Sequence, residues 1–235
     1  MEGIGLIGVK VVFATPSLHG PSAPYIGALE QSIPLITGAG WEEAYVQEVG
    51  CPYISAARAT MTRKALDAGA DVIVYLDYDL SWKPGDLLTL LETEGDVVAG
   101  TYRFKKTEEE YMGVVRTLSD GRPMVRGDGT LAATRVPAGF LKITREAINR
   151  FMETYPDLCF GPRFHLSVDL FNHGAHNGVW WGEDYAFCRN WCAAGGEIQL
   201  VPDLDITHHA PDRAYPGNFH QFLLRQPQPK EQRDG

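Results

Sequence analysis

No stretch of the 235-residue sequence approaches the roughly 18 consecutive apolar residues of a membrane-spanning helix. Cysteine is scarce, at four residues. Cys51 and Cys159 stand alone, and Cys188 and Cys192 are spaced i,i+4, which suits neither a zinc CxxC nor a disulfide framework. They read as small buried apolar residues plus one exposed thiol, in a reducing compartment. The opening Met1–Gly8 lacks the basic region and cleavage site of a secretory signal, so a cytoplasmic protein with no membrane partner is expected. Internal repeats and low-complexity segments are missing too. Positive charge is in deficit: 21 Lys+Arg face 30 Asp+Glu for a formal net charge of −9, which argues against a general polyanion binder.

What is present is core-forming. An apolar fraction of 44% with 11% aromatics excludes a disordered chain. A folded chain of this length buries roughly 70% of its extended surface, enough for one sizeable core. Short β-rich runs are expected at Lys10–Thr15 (ending at Pro16), Glu43–Val49, Asp71–Leu76, Asp96–Thr101, Leu131–Val136 and Glu197–Val201. Helical spacing predicts Pro21–Gln31, Ile54–Gly69, Lys83–Leu91 with Pro84 in the first turn, Thr144–Met152 capped by Thr144, and Gly182–Ala194. The alternation of the two predicts an α/β protein: a mostly parallel central sheet flanked by helices, spanning residues 1–224, with a polar, frayed tail at 225–235. Arg103–Thr130 is polar and glycine-rich, and reads as hairpins or a mobile loop.

The most informative word is Asp77-Tyr78-Asp79, directly after the buried run Asp71–Leu76. Side chains at i and i+2 share one face of an extended chain, and the carboxyl end of a strand is where open α/β sheets place ligands. Two carboxylates there suit a hard divalent cation, whose charge relieves their repulsion. Read blandly, they are two solvated loop aspartates.

From Ile54 to Asp79 the chain resembles nucleotide-sugar-dependent glycosyltransferases of the GT-A fold, a single Rossmann-like domain. Three later words are similar to that family's, in its order: Val136–Arg145, a small-residue strand beneath the donor sugar that includes Gly139; Trp180–Cys188, an acidic word opening a helix; and Val201–His209, a late strand returning a histidine to the metal. The resemblance implies a Mn²⁺ or Mg²⁺ ion held by Asp79, less directly by Asp77, and by His208, bridging the donor diphosphate. It implies Asp184 as the general base of an inverting hexosyl-transfer reaction, with Glu183 on sugar or acceptor hydroxyls; a retaining enzyme would need no such base. Thr15, Pro16, Ser17 and Tyr78 would border the nucleoside, and Arg58 would pair with a phosphate or with Asp77. Trp180 and Trp181 are core residues or, at Trp181, a stacking face for a sugar ring.

His173 and His176 read as loop residues of an acceptor lid, and His19 and His165 have no context. The acceptor segments are Arg103–Thr130 and Phe171–Val179, and the implied acceptor is a hydroxyl on a protein, a glycan, or a hydroxymethylated base of phage-type DNA. For the last, Arg103, Lys105, Lys106, Arg116, Arg122 and Arg126 would supply a basic rim; Lys105 and Lys106 alternatively reach phosphate. Two rival readings use the same residues. Asp77–Ser81 also resembles the nucleophile word of haloacid-dehalogenase-type phosphatases, with Asp77 attacking phosphorus. A non-catalytic sugar-nucleotide-binding module would keep the pocket without the base.

Overall fold

Val72–Leu76, five apolar residues in a row, are all buried, as a strand covered on both faces must be. This run is the third strand, β3, of the sheet that organises the computed structural model, which describes residues 8–226. In chain order the elements are β1 (Lys10–Ser17), α1 (Ala23–Gly38), β2 (Glu42–Val49), α2 (Ile54–Asp67), β3 (Val72–Leu76), β4 (Leu80–Trp82), α3 (Pro84–Glu92), β5 (Val97–Ala99), β6 (Val114–Val115), β7 (Leu131–Arg135), β8 (Phe140–Thr144) and α4 (Arg145–Thr154). After a 3₁₀ turn at Pro156–Leu158 come β9 (Cys159–Phe160), β10 (Ser167–Val168), β11 (Gly174–His176), β12 (Val179–Trp181), α5 (Glu183–Ala193), β13 (Ile198–Leu200), β14 (Asp205–His209), β15 (Ala214–Asn218) and α6 (Phe219–Arg225).

Eight strands form the main sheet in the order β2-β1-β3-β8-β5-β13-β7-β6. β2, β1 and β3 pair in parallel, β8 runs against β3 and β5, β13 is parallel to β5, and β7 runs against β13 and β6. Only β8 and β7 are therefore reversed, so the expected mostly parallel α/β class is the one observed. Alternate residues of the strands feed two cores. Val12, Ala14, Ile73, Tyr75, Leu141 and Ile143 pack with α2, α4 and α5. Val11, Phe13, Val74, Leu76 and Phe140 pack with α1 and α3.

Local chemistry explains the boundaries. Ser22 caps α1 by accepting from the Tyr25 N–H at 3.3 Å, and Thr144, the expected cap, does the same for α4 from the Ala147 N–H at 3.1 Å. Gly69, at φ +83°, takes the left-handed turn that stops α2.

The structure corrects several expectations. β1 does not end at Pro16 but runs to Ser17. Beyond Ala14 it pairs with β2 alone, and a strand paired on one side tolerates the missing N–H of proline. α1 continues seven residues past Gln31, through Pro34. The strand expected at Asp96–Thr101 is only Val97–Ala99. Arg103–Thr130, by contrast, is hairpin-like as expected, with β6 on the sheet edge and bridges at Arg103–Tyr111, Thr117–Pro123 and Val125–Leu131. Phe171–Val179 carries the β11–β12 hairpin. Of the cysteines only Cys188 is buried; the other three are half-buried and none is fully exposed. Helix α6 reaches Arg225, the first residue of the expected tail, while 227–235 and the opening residues 1–7 lie outside the described residues.

Candidate active site

The carboxyl end of β3 feeds directly into Asp77. The Asp77 N–H donates to the Gly139 carbonyl at 2.9 Å, and the Tyr78 carbonyl accepts from the Ser22 N–H at 3.0 Å, so the turn is fixed between α1 and the start of β8. β4 then pairs with β14, which pairs with β15. That small sheet brings His208 and His209 back over the turn, and the His209 N–H donates to the Asp79 carbonyl at 2.8 Å.

The two aspartates face different partners. Asp77 Oδ1 accepts from Arg58 Nη2 at 2.9 Å and its Oδ2 from the Tyr102 hydroxyl at 3.2 Å. Arg58 is no surface residue: it is 2% exposed, its Nη1 reaches Glu183 Oε1 at 2.7 Å, and its guanidinium lies 5.1 Å from the Phe171 ring centroid. Burial alone would lower its pKa, but the carboxylates of Asp77 and Glu183 outweigh this and raise it. A Cβ on Gly139 would fall well inside contact distance of Asp77 Oδ2 and the Tyr102 hydroxyl, so this close approach requires glycine. With both oxygens engaged, Asp77 lacks the free face that a phosphoryl-attacking nucleophile needs.

Asp79 turns to the other side. Its Oδ2 meets Lys105 Nζ and lies 3.5 Å from His208 Nε2. Burial pushes this carboxyl up, but the contacts from His208 and Lys105 prevail and hold it below the usual carboxylate range. His208 Nδ1 sits 2.8 Å from the Arg103 carbonyl, which can only accept, so Nδ1 carries a proton and Nε2 is the ring nitrogen that faces Asp79. His209 makes a separate contact, Nε2 to Ser81 Oγ at 2.8 Å.

Whether a divalent ion fits can be judged from this donor set. Among the described residues no three His, Cys, Asp or Glu side chains are grouped to hold a metal. Asp79 and His208 alone are poised as a pair, and their 3.5 Å separation is close to the roughly 3.0–3.4 Å between neighbouring ligands with bonds of about 2.1 Å. They would supply two of the six ligands of an octahedral Mn²⁺ or Mg²⁺, with the rest left to a ligand's oxygens and water.

Asp184 stands in the first turn of α5, where its Oδ1 accepts from the Tyr185 N–H at 2.7 Å. Burial, reinforced by the neighbouring Glu183 carboxylate, pushes its pKa up to about 6. Thr15, Pro16 and Ser17 end β1 on the same sheet edge. The Thr15 hydroxyl is 2.5 Å from the Tyr25 hydroxyl, and Ser17 Oγ accepts from the Gly20 N–H at 3.2 Å. Asp77, Asp79, Glu183, Asp184, Arg58, Gly139 and His208 are thus brought to one edge.

Other expected residues lie differently. Trp180 is not core, being 71% exposed, and Trp181 is only half-buried, with the guanidiniums of Arg135 and Arg189 over its ring at 4.8 and 4.9 Å. Arg163 and Phe164 near His165 are exposed, and His176 lies on exposed β11 with its Nε2 3.2 Å from Asn177. The basic rim is largely neutralised by ion pairs: Lys105 with Asp79, Lys106 with Glu110, Arg122 with Asp120, and Arg126 with Glu197. Tyr102 was not anticipated; its only signal was an aromatic with a polar tip just beyond the run Asp96–Thr101.

Fold and site together define an α/β protein with a cluster of carboxylates and a histidine at the carboxyl edge of its sheet. No protein-family model and no curated protein matches the chain. Solved structures that match include GalNAc-T7 with UDP, GalNAc and Mn²⁺, at 12% identity and a TM-score of 0.49 over 86% of this chain; the chain spans only 44% of that protein. Mannose-1-phosphate geranyltransferase from Thermus thermophilus matches at 16% identity and a TM-score of 0.44, over 82% of this chain and 73% of the other. The inositol-1-phosphate CTP transferase from T. maritima matches at 9% identity and a TM-score of 0.43, over 85% and 90%. These are likenesses of chain architecture, and the functional reading rests on this chain's own residues.

Proposed function

We propose that the protein is a glycosyltransferase of the GT-A type, moving a sugar from a nucleoside-diphosphate donor to a hydroxyl acceptor with a divalent ion, Mn²⁺ or Mg²⁺. The observation that carries this reading is the Asp79–His208 pair at 3.5 Å, set beside a buried acid, Asp184, whose pKa lies near 6. Asp79 and His208 would hold the ion between them. When bound, the ion supplies Lewis-acid stabilisation of the departing diphosphate.

The remaining work falls to the chain. Arg58, locked on Asp77 and Glu183, holds the two carboxylates rigid so that donor hydroxyls meet a fixed set of acceptors. Gly139 and Tyr102 leave room for the donor sugar over the sheet edge, and Thr15, Pro16, Ser17 and Tyr78 border the nucleoside. Lys105, paired with Asp79 in this structure, lies where it would reach a donor phosphate if Asp79 were engaged with the ion. Asp184, ionised above about pH 6, removes the acceptor hydroxyl's proton as that oxygen attacks the anomeric carbon, an inverting displacement.

The test is a panel of nucleoside-diphosphate sugars with and without Mn²⁺, read as released nucleoside diphosphate and, in parallel, as calorimetric binding. Metal-dependent binding or release from one donor, lost in Asp79→Ala, is expected. If no nucleoside diphosphate binds in the presence of Mn²⁺ or Mg²⁺, the reading fails.

A further inference from the structure

Next to Asp184, α5 presents a second cluster that the reaction described above does not use. Trp181, at the end of β12, carries the guanidiniums of Arg135 and Arg189 over its ring, and Arg135 also lies 5.4 Å from the centroid of Tyr185. In a chain of net charge −9, most arginines of the described residues meet a carboxylate or backbone carbonyl. Among the described residues, Arg135 and Arg189 meet no carboxylate. Arg189 Nε and Nη2 reach only Asn190 Oδ1, at 3.1 Å each.

Two donors in the cluster are buried without a hydrogen-bond partner: Arg189 Nη1 and the Trp181 indole N–H. Buried donors normally have acceptors, and two of them beside an unpaired pair of guanidiniums ask for an oxyanion. With guanidiniums already over its ring, Trp181 is poorly placed to stack on a sugar, the role expected of it from sequence. The cluster lies where both expected acceptor segments meet. Val114 of β6 pairs with Arg135, the Gly113 N–H donates to the Tyr185 hydroxyl at 3.2 Å, and β12 is hairpin-paired with β11.

We infer that Arg135, Trp181 and Arg189 form an anion subsite for the acceptor, so that the acceptor carries a carboxylate or phosphate near its reacting hydroxyl. Its role as an acceptor subsite rests on the proposed function; the anion site itself stands on this cluster alone.

The test titrates the full-length protein with glucuronate, glucose 6-phosphate, glucose and inorganic phosphate by ligand-observed NMR. The titrations are repeated with nucleoside diphosphate and Mn²⁺ saturating the donor site, and in Asp79→Ala. Anionic sugars should bind at least about tenfold more tightly than glucose in all three settings, as a charge-assisted contact supplies. That preference should collapse in Arg135→Gln and Arg189→Gln, and the tighter of the two anionic sugars names the carboxylate or phosphate source. A wild-type protein that does not distinguish the anionic sugars from glucose overturns the inference. So does a preference that survives both substitutions, or one abolished by filling the donor site. Where a glutamine variant melts below the wild type, the arginine-to-lysine variants replace it, with a weakened preference expected. Failure of every nucleoside diphosphate to bind would instead sink the transferase reading, leaving the anion preference to be read in its absence.

Discussion

Asp184 is held in a place that disfavours its charge. Its pKa of about 6 lies above the ordinary carboxylate value because burial and Glu183 both penalise ionisation. Between the ordinary pKa and 6 the folded state therefore binds more protons than the unfolded one, and stability falls as pH rises through that window. Asp184→Asn should stabilise the protein by about 2 kcal/mol at pH 8 and by nothing measurable at pH 3, in paired thermal melts. The same substitution should lower transfer roughly 10²–10⁴-fold while leaving donor binding intact, and the wild-type rate should decline below about pH 6. Gly139→Ala acts through shape: the methyl has to displace the Asp77 carboxylate or the Tyr102 hydroxyl, so donor affinity should drop with a stability loss of about 1–3 kcal/mol. At this scale much of the site could be read from sequence. Asp77 and Asp79 stood out by their place at the end of a buried run, whereas Glu183, Asp184 and His208 were singled out through the resemblance of their words to a known family. Tyr102 did not stand out, since a tyrosine after a strand looks like any core aromatic.

Helix α2 is tied to the site by one side chain. Arg58 joins α2 to the end of β3 and the start of α5, and its removal strands two carboxylates against a buried ring. Arg58→Met should cost about 3–5 kcal/mol, a drop in Tm on the order of 10 °C by calorimetry. On the opposite face, Lys142 in the middle of β8 donates to the Leu91 carbonyl at 3.2 Å and to that of Thr93, closing the carboxyl end of α3. Burial pulls its pKa down to about 8, so the unfolded state binds more protons above that value. Stability should rise with pH between about 8 and 10, and Lys142→Met should flatten that rise in denaturant titrations. The long elements were legible because their periodicity extends over many residues. β4, β6, β15 and α6 were not. Three residues such as Leu80-Ser81-Trp82 carry too little pattern, and the partner of that strand, β14, lies more than 100 residues away.

Across the whole molecule, the parts of the candidate site come from β1, β3, α2, β8, α5 and β14, so ligand binding should act on global stability. A divalent ion added with a nucleoside diphosphate at about 100 times its dissociation constant should stabilise the fold by about 2.7 kcal/mol, several degrees in Tm. EDTA should erase that gain, and Asp79→Ala should never show it. The α/β class was legible from the alternation of buried runs and helices, but the strand order was not, because nothing local in Phe140–Thr144 says that it slots between β3 and β5.

That insertion bears on how the protein is made. A chain emerging from the ribosome presents β3 and β5 long before β8, and β8 and β7 before β13. Until those late strands arrive, the nascent sheet has gaps in its middle, with bare backbone edges and apolar faces on both sides of each. A translation stall before β8 and β13 are made is therefore expected to favour aggregation over folding.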